Sequence, residues 1–472
     1  MSFDSTTFAL FLAMVLALHR ALPWRAGRLV LLAASYVFYG AGEPWQCLLL
    51  VASTAVNFAI AWRIDVAKGE RKRKALLGAA LIASLGLLAV FKYGAFVCGS
   101  LNAVLGAAGV AAVPVPGWAL PIGISFFTFQ TLSYTLDVYY GKERPTRDAV
   151  EFALYVSFFP QLVAGPIERF SRLMPQLREK RLPGPGDMEA GFQRILWGLV
   201  KKAVVADRLG VFVDQVYAAP GDASSPALLA ATACCALQVY MDFSGYCDIA
   251  IGAARMLGVS LTENFRWPML ARNPVDFWAR WHITLGTWFR DYLFTALVGR
   301  RRPGAPRRLL NLVIVLTLMG LWHGPAWHFV LLGLAAGLAV AAYEGVYLVT
   351  GRSRAKPLFG RGRLSAALAV SLMNLFTLAL MVLFRAQSLG DVRAAAAGLF
   401  CGSWSFDPVV AVYGGAAVSL WGICVATGLL SGETRKERPL PAPLRAAVWF
   451  ALLLALLYGA VDTHQQFIYF QF

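Results

Sequence analysis

Charged residues are scarce in this chain of 472 residues: they make up 15% of it, whereas hydrophobic residues make up 58%. A soluble domain usually carries about 25% charged residues, so the sequence lacks the polar surface of a water-soluble fold. Apolar runs near the ~20-residue length that spans a bilayer recur along the whole chain. The composition therefore excludes an ordinary soluble protein and predicts an integral membrane protein embedded in the lipid bilayer.

Acidic residues are rarer than basic ones, since 26 Asp and Glu stand against 43 Lys and Arg, for a formal net charge of +17. In a soluble protein this excess would indicate nucleic-acid binding. Here the basic residues lie in short loops between apolar runs, as the positive-inside rule describes, and the sequence has no separate basic domain. We therefore expect no nucleic-acid partner.

The apolar runs lack the alternation of polar and apolar residues that is typical of barrel strands. Because only helices and closed barrels can span a bilayer, the runs predict an all-α integral membrane protein. We expect about ten transmembrane helices plus re-entrant and interfacial helices. The sequence shows neither an internal repeat nor a long linker, which favours a single polytopic domain over residues 1–472.

Cysteine is also sparse, with seven scattered residues and no C-x-x-C pair. We interpret these cysteines as small buried hydrophobes and infer neither a disulfide framework nor a zinc site. His323 and His328 stand five positions apart, without H-x-x-x-H spacing and without carboxylate or cysteine partners, so no metal is expected. The G-x-S-x-G pattern of a serine-hydrolase elbow is absent as well.

The distribution of charge predicts a topology. The N-terminal segment carries its positive charges after its apolar stretch, unlike a cleavable signal, so we interpret it as a first span with its N-terminus outside. The basic loops that we assign to the cytoplasm lie at 20–28, 63–74, 142–147, 300–308, 352–363 and 435–438. The segments without Lys or Arg that we assign to the outside lie at 93–118, 215–230, 401–412 and 462–472.

Two segments depart from simple spans. Residues 149–165 are apolar but have basic flanks and contain Pro160 and the Gly165-Pro166 pair, which favours a re-entrant or interfacial segment. Residues 191–217 have helical periodicity but carry several charges, which is typical of an amphipathic helix at the interface.

Two histidines stand in the apolar stretch "LWHGPAWHF", residues 321–329. The Gly324-Pro325 pair predicts the end of a helix that begins near Leu309, which places His323 at a helix C-terminus within the membrane. The helix dipole would favour the protonated form of His323 and burial the neutral form, and the sequence leaves both open. We expect structural roles for the three remaining histidines. His328 lies in the same stretch, and two others lie at the ends of spans, His19 and His464.

A second unusual stretch is "RNPVDFWARWHITLGTWFRDYLF", residues 272–294. Asn273 is a candidate helix cap, Pro274 suits the first helical position, and Asp276 suits the first turn. If one helix continues through the stretch, helical spacing places on one face Trp278, His282, Leu285 and Phe289. His282 would then lie among large apolar rings, as a functional group or as an interfacial histidine bonded to a carbonyl.

A third stretch, "QVYMDFSGYCDIAIG", places polar residues in an apolar region: Asp242, Ser244, Tyr246 and Asp248. Two carboxylates at membrane depth are costly unless they are paired or hydrated. A polar network that fastens helices together and a direct catalytic role both remain open. Gly245 is a candidate helix break.

Together these stretches, with "PIGISFFTFQTLSYTLDVYYG" and the final "FIYFQF", resemble the membrane-bound O-acyltransferase family, and within it the bacterial branch of alginate-type O-acetyltransferases. The resemblance runs in order along essentially the whole chain. It implies helices around a central tunnel, with His323 of the "WHG" segment as the catalytic residue and His282 as its polar partner. It also implies that Trp322, Asp242, Ser244 and Tyr246 contribute to the substrate tunnel.

The resemblance further implies a reaction, transfer of an acetyl group from cytoplasmic acetyl-CoA to a hydroxyl outside. The acceptor would be a secreted polysaccharide of the alginate, cellulose or peptidoglycan kind, or a serine on a periplasmic or membrane-anchored partner of the serine-hydrolase acetyltransferase type. The expected location is the bacterial inner membrane. The alternatives are a polytopic transporter or flippase, and a non-catalytic scaffold for a polysaccharide-modifying enzyme.

Overall fold

The computed structural model of the chain describes residues 1–179, 181–299, 304–351, 362–405, 407–431, 441–460 and 467–468. The regular structure in those ranges is helical. The chain forms two compact units, and the first comprises Met1–Ile195 and Tyr246–Thr262. The second comprises Leu196–Gly245 and Glu263–Phe472. The described residues leave out parts of the predicted loops at 300–308 and 352–363, the whole of 435–438, and most of 462–472, including His464.

The first unit is built from helices of about one to six turns. They span Thr6–Ala21, Trp24–Gly40, Gln46–Val66, Glu70–Leu88, Gly94–Ala107, Ile124–Tyr139, Ala149–Ser157, Phe159–Leu162, Phe170–Arg178 and the start of Pro185–Leu199, with a π-helical turn at Ala89–Tyr93. Its buried centre is rich in aromatic side chains. In one cluster the rings of Phe8, Phe11 and Phe38 each approach Phe159, with centroids 6.5, 5.2 and 5.7 Å away.

The second unit is likewise helical. Its helices are Asp207–Tyr217, Ser225–Met256, Pro274–Trp278, Ile283–Trp288, Thr295–Val298, Ala305–His323, Trp327–Thr350, Arg363–Arg385, Leu389–Cys401, Pro408–Ser431 and Ala442–Gly459, with π-helical segments at Val200–Ala206 and Phe289–Phe294 and a 3₁₀ turn at Pro268–Leu270. We call Ser225–Met256 the long helix; its last residues, from Tyr246 on, belong to the first unit.

Seven helices in the described ranges are long and apolar enough to cross a bilayer: Gln46–Val66, Glu70–Ala107, Ser225–Met256, Ala305–His323, Trp327–Thr350, Arg363–Arg385 and Pro408–Leu429. Two shorter apolar helices, Thr6–Ala21 and Pro443–Gly459, accompany them. These helices confirm an all-α, multi-pass membrane protein, because a bilayer requires each spanning backbone to satisfy its own hydrogen bonds. The count of about ten spans stays a prediction.

The predicted interruption of residues 149–165 is present. The helix Ala149–Ser157 is capped by Asp148, whose carboxylate accepts from the backbone of Val150 and Glu151. It ends before Phe158, and the short helix Phe159–Leu162 follows with Pro160 in its first turn, where proline costs no hydrogen bond. The segment is buried within the first unit, and irregular backbone at membrane depth requires such cover. A re-entrant path for it stays a prediction.

Gly245 is not a helix break, because the long helix continues through it from Ser225 to Met256. Its lack of a side chain serves a close contact instead. A Cβ atom on Gly245 would lie 2.7 Å from the carbonyl oxygen of Gly198 and 3.2 Å from the amide nitrogen of Lys202. The predicted helix break is absent because one glycine lowers the stability of a helix by only about 1 kcal/mol. The close packing that the glycine permits outweighs this cost.

The single helix expected across residues 272–294 is also wrong. Asn273 caps a helix as predicted, since its side chain accepts from the amide of Asp276, but that helix ends at Trp278. His282 then adopts a left-handed backbone, with φ of 42°, and precedes a new helix. The structure therefore does not place on one helical face the four residues Trp278, His282, Leu285 and Phe289. The turn at His282 separates the helix that ends at Trp278 from the helix that carries Leu285.

Glycines allow the helices Ala305–His323 and Trp327–Thr350 to pack closely in the second unit. A Cβ atom on Gly320 would lie 2.7 Å from the Cα atom of Gly333. A Cβ atom on Gly333 would lie 2.4 Å from the carbonyl oxygen of Leu316. Small residues at such contacts are the usual means by which membrane helices approach each other.

We expect Gly333→Ala to lower the stability of the protein by about 1–3 kcal/mol, because the added methyl group forces the two helices apart. The measurement is the apparent unfolding temperature of the purified protein in detergent. Gly345→Ala on the same helix is the control, because its Cβ atom would lie 3.6 Å from Leu309, an ordinary contact. A Gly333→Ala protein that unfolds at or above the temperature of the control would contradict this packing argument.

Candidate functional site

His323 is the last residue of the helix Ala305–His323, which we call the histidine helix. The helix ends as predicted, because Gly324 adopts an extended backbone ahead of Pro325, although it begins at Ala305 rather than near Leu309. The His323 side chain is buried. Its position at the carboxyl end of the helix places the imidazole near the negative end of the helix dipole.

His282 reaches the same region from a strained turn. It is the residue immediately before the helix Ile283–Trp288, and its left-handed backbone is rare for a residue other than glycine. Such strain costs on the order of 1–3 kcal/mol, and it persists at functional sites where the surroundings hold the residue in place. The imidazole is 1% exposed, so it belongs to the interior of the second unit.

Aromatic rings join the two histidines into one cluster. The ring of His282 lies 4.7 Å from that of Phe243 and 5.8 Å from that of Trp322. Trp322 in turn lies 5.2 Å from His323, which also approaches Phe384 at 6.1 Å. Burial lowers the pKa of His282, which lies outside the seven spans, and the charge of His323 lowers it further. His282 is therefore a neutral imidazole near neutral pH.

A cavity of about 70 Å³ adjoins His323 within the second unit. Its walls are almost entirely apolar and include Met319, Leu380 and Phe384. That volume holds several water molecules, at about 10–15 Å³ each, or a small acyl group. A larger cavity of about 420 Å³ shares four of the lining residues: Ala236, Phe277, Trp281 and Thr377. His323 therefore borders a space that can admit a small apolar group.

Asn264 is a residue of this site that the sequence analysis missed. It is 1% exposed, and its side-chain oxygen lies 3.3 Å from Nδ1 of His282. The same oxygen accepts hydrogen bonds from the amide and the hydroxyl of Thr284, at 3.1 and 3.0 Å. A lone asparagine in "LTENFRW" has no pattern that marks it, because its role arises only where two separate loops meet.

Asp242 belongs to a buried ionic network. Nζ of Lys202 lies 3.0 Å from Asp242 and 2.7 Å from Asp207. The other oxygen of Asp242 accepts from the amide of Ile468 at 2.7 Å. Burial by itself lowers the pKa of Lys202, which also lies outside the spans, but the two carboxylates together raise it above its usual value. This geometry supports the interpretation of Asp242 as part of a network that fastens segments together.

The same network includes part of residues 191–217, for which the sequence predicts an amphipathic helix at the interface; that location stays a prediction. The segment is helical, as predicted, with Val200–Ala206 as a π-helical stretch. Lys202 and Asp207 are buried, however, and do not lie on a polar face toward water. The sequence does not reveal the burial of these two charges, because the pairing of Lys202 with Asp242 joins residues that are far apart in the chain.

The remaining sequence candidates lie on the long helix, and their roles stay predictions. Ser244 is a buried side chain of the second unit. Tyr246 belongs to the first unit, and its ring lies 4.6 Å from that of Phe3. Asp248 also belongs to the first unit, and its carboxylate pairs with Arg194 at 2.9 Å. The structure therefore brings together His282, Trp322 and His323 from the predicted set, with Asp242 in the ionic network.

Two further histidines have structural contacts, which support the roles expected for them. Nδ1 of His328 lies 2.9 Å from the carbonyl oxygen of Leu383. His19 is a buried residue of the first unit, and its ring packs edge-on against Trp24 at 5.8 Å. Among the described residues, no three His, Cys, Asp or Glu side chains come together in a way that could hold a metal ion.

A comparison with known protein families decides the class of this protein. The family model for the membrane-bound O-acyltransferases matches residues 31–384, which is more than half of the chain. The chain belongs to the membrane-bound O-acyltransferase family. Both histidines, Trp322 and Asn264 fall inside the matched region. The protein is thus a membrane-bound O-acyltransferase, as the resemblance of its motifs predicted.

Individual relatives are similar over most of their length. The chain is 37% identical to the "Probable alginate O-acetylase AlgI" of Azotobacter vinelandii, over 86% of this chain and 80% of that protein. It is 32% identical to the protein of the same name from Pseudomonas putida over the full length of both. It is 33% identical to the "Peptidoglycan O-acetyltransferase" of Helicobacter pylori, over 67% of this chain and 64% of that protein.

Removal of Lys202 should destabilise the O-acyltransferase strongly. In Lys202→Met, Asp207 and Asp242 lose their shared cation in a buried place, and a broken buried ion pair costs about 3–5 kcal/mol. The measurement is the apparent unfolding temperature in detergent, with the neighbouring Lys201→Met as the control, because Lys201 is only half-buried. Equal unfolding temperatures for the two variants would show that the ion pairs of Lys202 do not stabilise the protein.

Proposed function

We propose that this O-acyltransferase moves an acetyl group from cytoplasmic acetyl-CoA to a hydroxyl on the outer side of the membrane, in the service of exopolysaccharide O-acetylation. Relatives named alginate O-acetylase and peptidoglycan O-acetyltransferase support a polysaccharide as the final acceptor. An alginate-like polymer is the preferred candidate, because the alginate relatives align over more of the chain. No metal is required by this chemistry.

The observation that carries the proposal is an aromatic cluster that contains two buried histidines, one of which, His323, lines an apolar cavity. His323 and His282 join a single aromatic cluster through Trp322, and His323 lines a cavity that fits a small acyl group. Buried imidazoles are costly, so the presence of two in one aromatic cluster, with His323 at a cavity, favours chemistry over packing. A transporter or a scaffold has no need of a base at this place.

His323 acts as the general base in this proposal. It takes the proton of the acceptor hydroxyl as the oxygen attacks the acetyl carbonyl carbon, a new C–O bond forms, and the C–S bond breaks. The proton then passes from the imidazolium to the departing thiolate, so that the base is restored. A thiol with a pKa near ~8.5 is a good leaving group and needs little acid assistance, while a positioned base contributes ~10²–10⁴-fold.

The other predicted features accompany this mechanism as part of the proposal. His282 orients His323 or a substrate group, and Trp322 and Ser244 contribute to a tunnel between the cytoplasm and the outside. The whole chain acts as one domain of the bacterial inner membrane, with its N-terminus outside. A periplasmic or membrane-anchored acetyltransferase of the serine-hydrolase type takes part in delivery to the polymer. Tyr246 takes part less directly, because its described ring contact is with Phe3.

Replacement of His323 by Ala should abolish polymer acetylation, because the base would be lost. We expect a decrease of about 10²–10⁴-fold in the acetyl content of secreted polysaccharide when membrane levels of the protein are matched. His19→Gln is the control, since His19 is an equally buried imidazole of the other unit. Unchanged acetylation with the His323→Ala protein would overturn the proposal and would favour a scaffold.

Purified protein should release or transfer the acetyl group of radiolabelled acetyl-CoA, because the thioester is the proposed donor. The measurement follows label in free acetate and in added acceptor, with the His323→Ala protein as the matched blank. Label that crosses a proteoliposome membrane as intact acetyl-CoA, without cleavage, would instead indicate a transporter.

A further inference from the structure

Asn264 contacts His282 and the first two residues of the helix that follows it. Its carbonyl oxygen accepts from the amide of Ile283 at 3.0 Å. Its side-chain oxygen accepts from the amide and the hydroxyl of Thr284, and it contacts Nδ1 of His282 at 3.3 Å. The buried side chain of Asn264 therefore contacts both His282, which precedes the helix Ile283–Trp288, and Thr284 in the first turn of that helix. The left-handed backbone of His282 is held by these bonds.

The contacts decide which atom of the Asn264 amide faces His282. A backbone N–H can only donate, so the atom that meets the amide of Thr284 must be the oxygen and not the nitrogen. An oxygen of an amide can only accept. Nδ1 of His282, which lies at hydrogen-bond distance from that oxygen, must therefore carry a hydrogen.

We propose, on the basis of the function proposed above, that Asn264 is a positioning residue that holds His282 in the Nδ1–H tautomer, so that Nε2 offers its lone pair at the reaction centre. Which ring nitrogen of a histidine carries the proton is generally set by the hydrogen bond that the other nitrogen makes. The edge-on rings of Phe243 and Trp322 restrict rotation of the imidazole about this bond.

The Nδ1–H tautomer limits the hydrogen bonds that His282 can make to a substrate or to His323. A neutral imidazole with hydrogen on Nδ1 cannot donate from Nε2, so it cannot polarise the acetyl carbonyl by a hydrogen bond from that atom. It accepts instead, from an N–H of His323 or from the hydroxyl of the acceptor. His282 thereby orients the base or the nucleophile, and Asn264 acts through it without touching the substrate.

The tautomer can be measured without any assay of activity. Full-length protein with ¹⁵N-labelled histidine, in lipid bilayers, has five histidines to resolve, and the His282 signals are those lost in His282→Gln. Nitrogen shifts and their couplings to the ring protons distinguish a protonated Nδ1 from a protonated Nε2. We expect protonated Nδ1 and imine-type Nε2 for His282. A signal from protonated Nε2 in the unaltered protein would overturn the inference.

Variants of Asn264 then test its part in holding the tautomer. In Asn264→Ala we expect His282 to become a mixture of tautomers, with acetyl transfer reduced about 10- to 100-fold, part of what a positioned base contributes. Asn264→Asp keeps an accepting oxygen, so the Nδ1–H form should be retained. A pure Nδ1–H signal in Asn264→Ala, or its loss in Asn264→Asp while the protein stays folded, would count against the role of Asn264.

The matched control is Asn57→Ala in the first unit. Asn57 is also 1% exposed, and its amide bonds to the side chains of Ser84 and Thr135. Loss of this equally buried amide should leave the His282 signals unchanged. The outcomes also separate the two proposals: unchanged acetylation in His323→Ala overturns the base, whereas a protonated Nε2 on His282 overturns only the inference about Asn264.

Discussion

The cost of burying an imidazole among apolar rings is the constraint on which the site depends. Both His282 and His323 are less than a tenth exposed, so their nitrogen atoms require partners that the bilayer does not supply. The amide oxygen of Asn264 meets this need for Nδ1 of His282. The rings of Phe243 and Trp322 fill the space around it. A polar group that is both satisfied and immobilised in this way is suited to act on a substrate in a defined orientation.

Buried charge imposes a second constraint in the same unit. Lys202 lies between two carboxylates, Asp207 and Asp242, and Asp242 also receives the amide of Ile468. The ring of Phe467, next to Ile468, lies 5.7 Å from Phe243, which contacts His282. The ionic network on the long helix therefore adjoins the residues that pack around His282. Stability of the network and order of the site are linked by these contacts.

Close helix packing supplies the rigidity that such a site needs. The histidine helix meets its neighbour through Gly320 and Gly333, where backbones approach without side chains between them. His323 stands at the end of that helix, so its position follows from the contact. Gly245 plays a similar part on the long helix, against Gly198. Tight backbone contacts leave few alternative positions for the side chains that they carry.

Hydrophobic length, proline chemistry and motif order are local or linear properties, and they suffice to predict the class of fold, the end of the histidine helix at Gly324, and the two histidines as candidates. The folded chain alone reveals the strained turn at His282, the uninterrupted long helix at Gly245, the pairing of Lys202 with Asp242, and the contacts of Asn264. Each of these depends on atoms that are distant in the chain and close in space, and the periodicity of one segment contains no information about such neighbours.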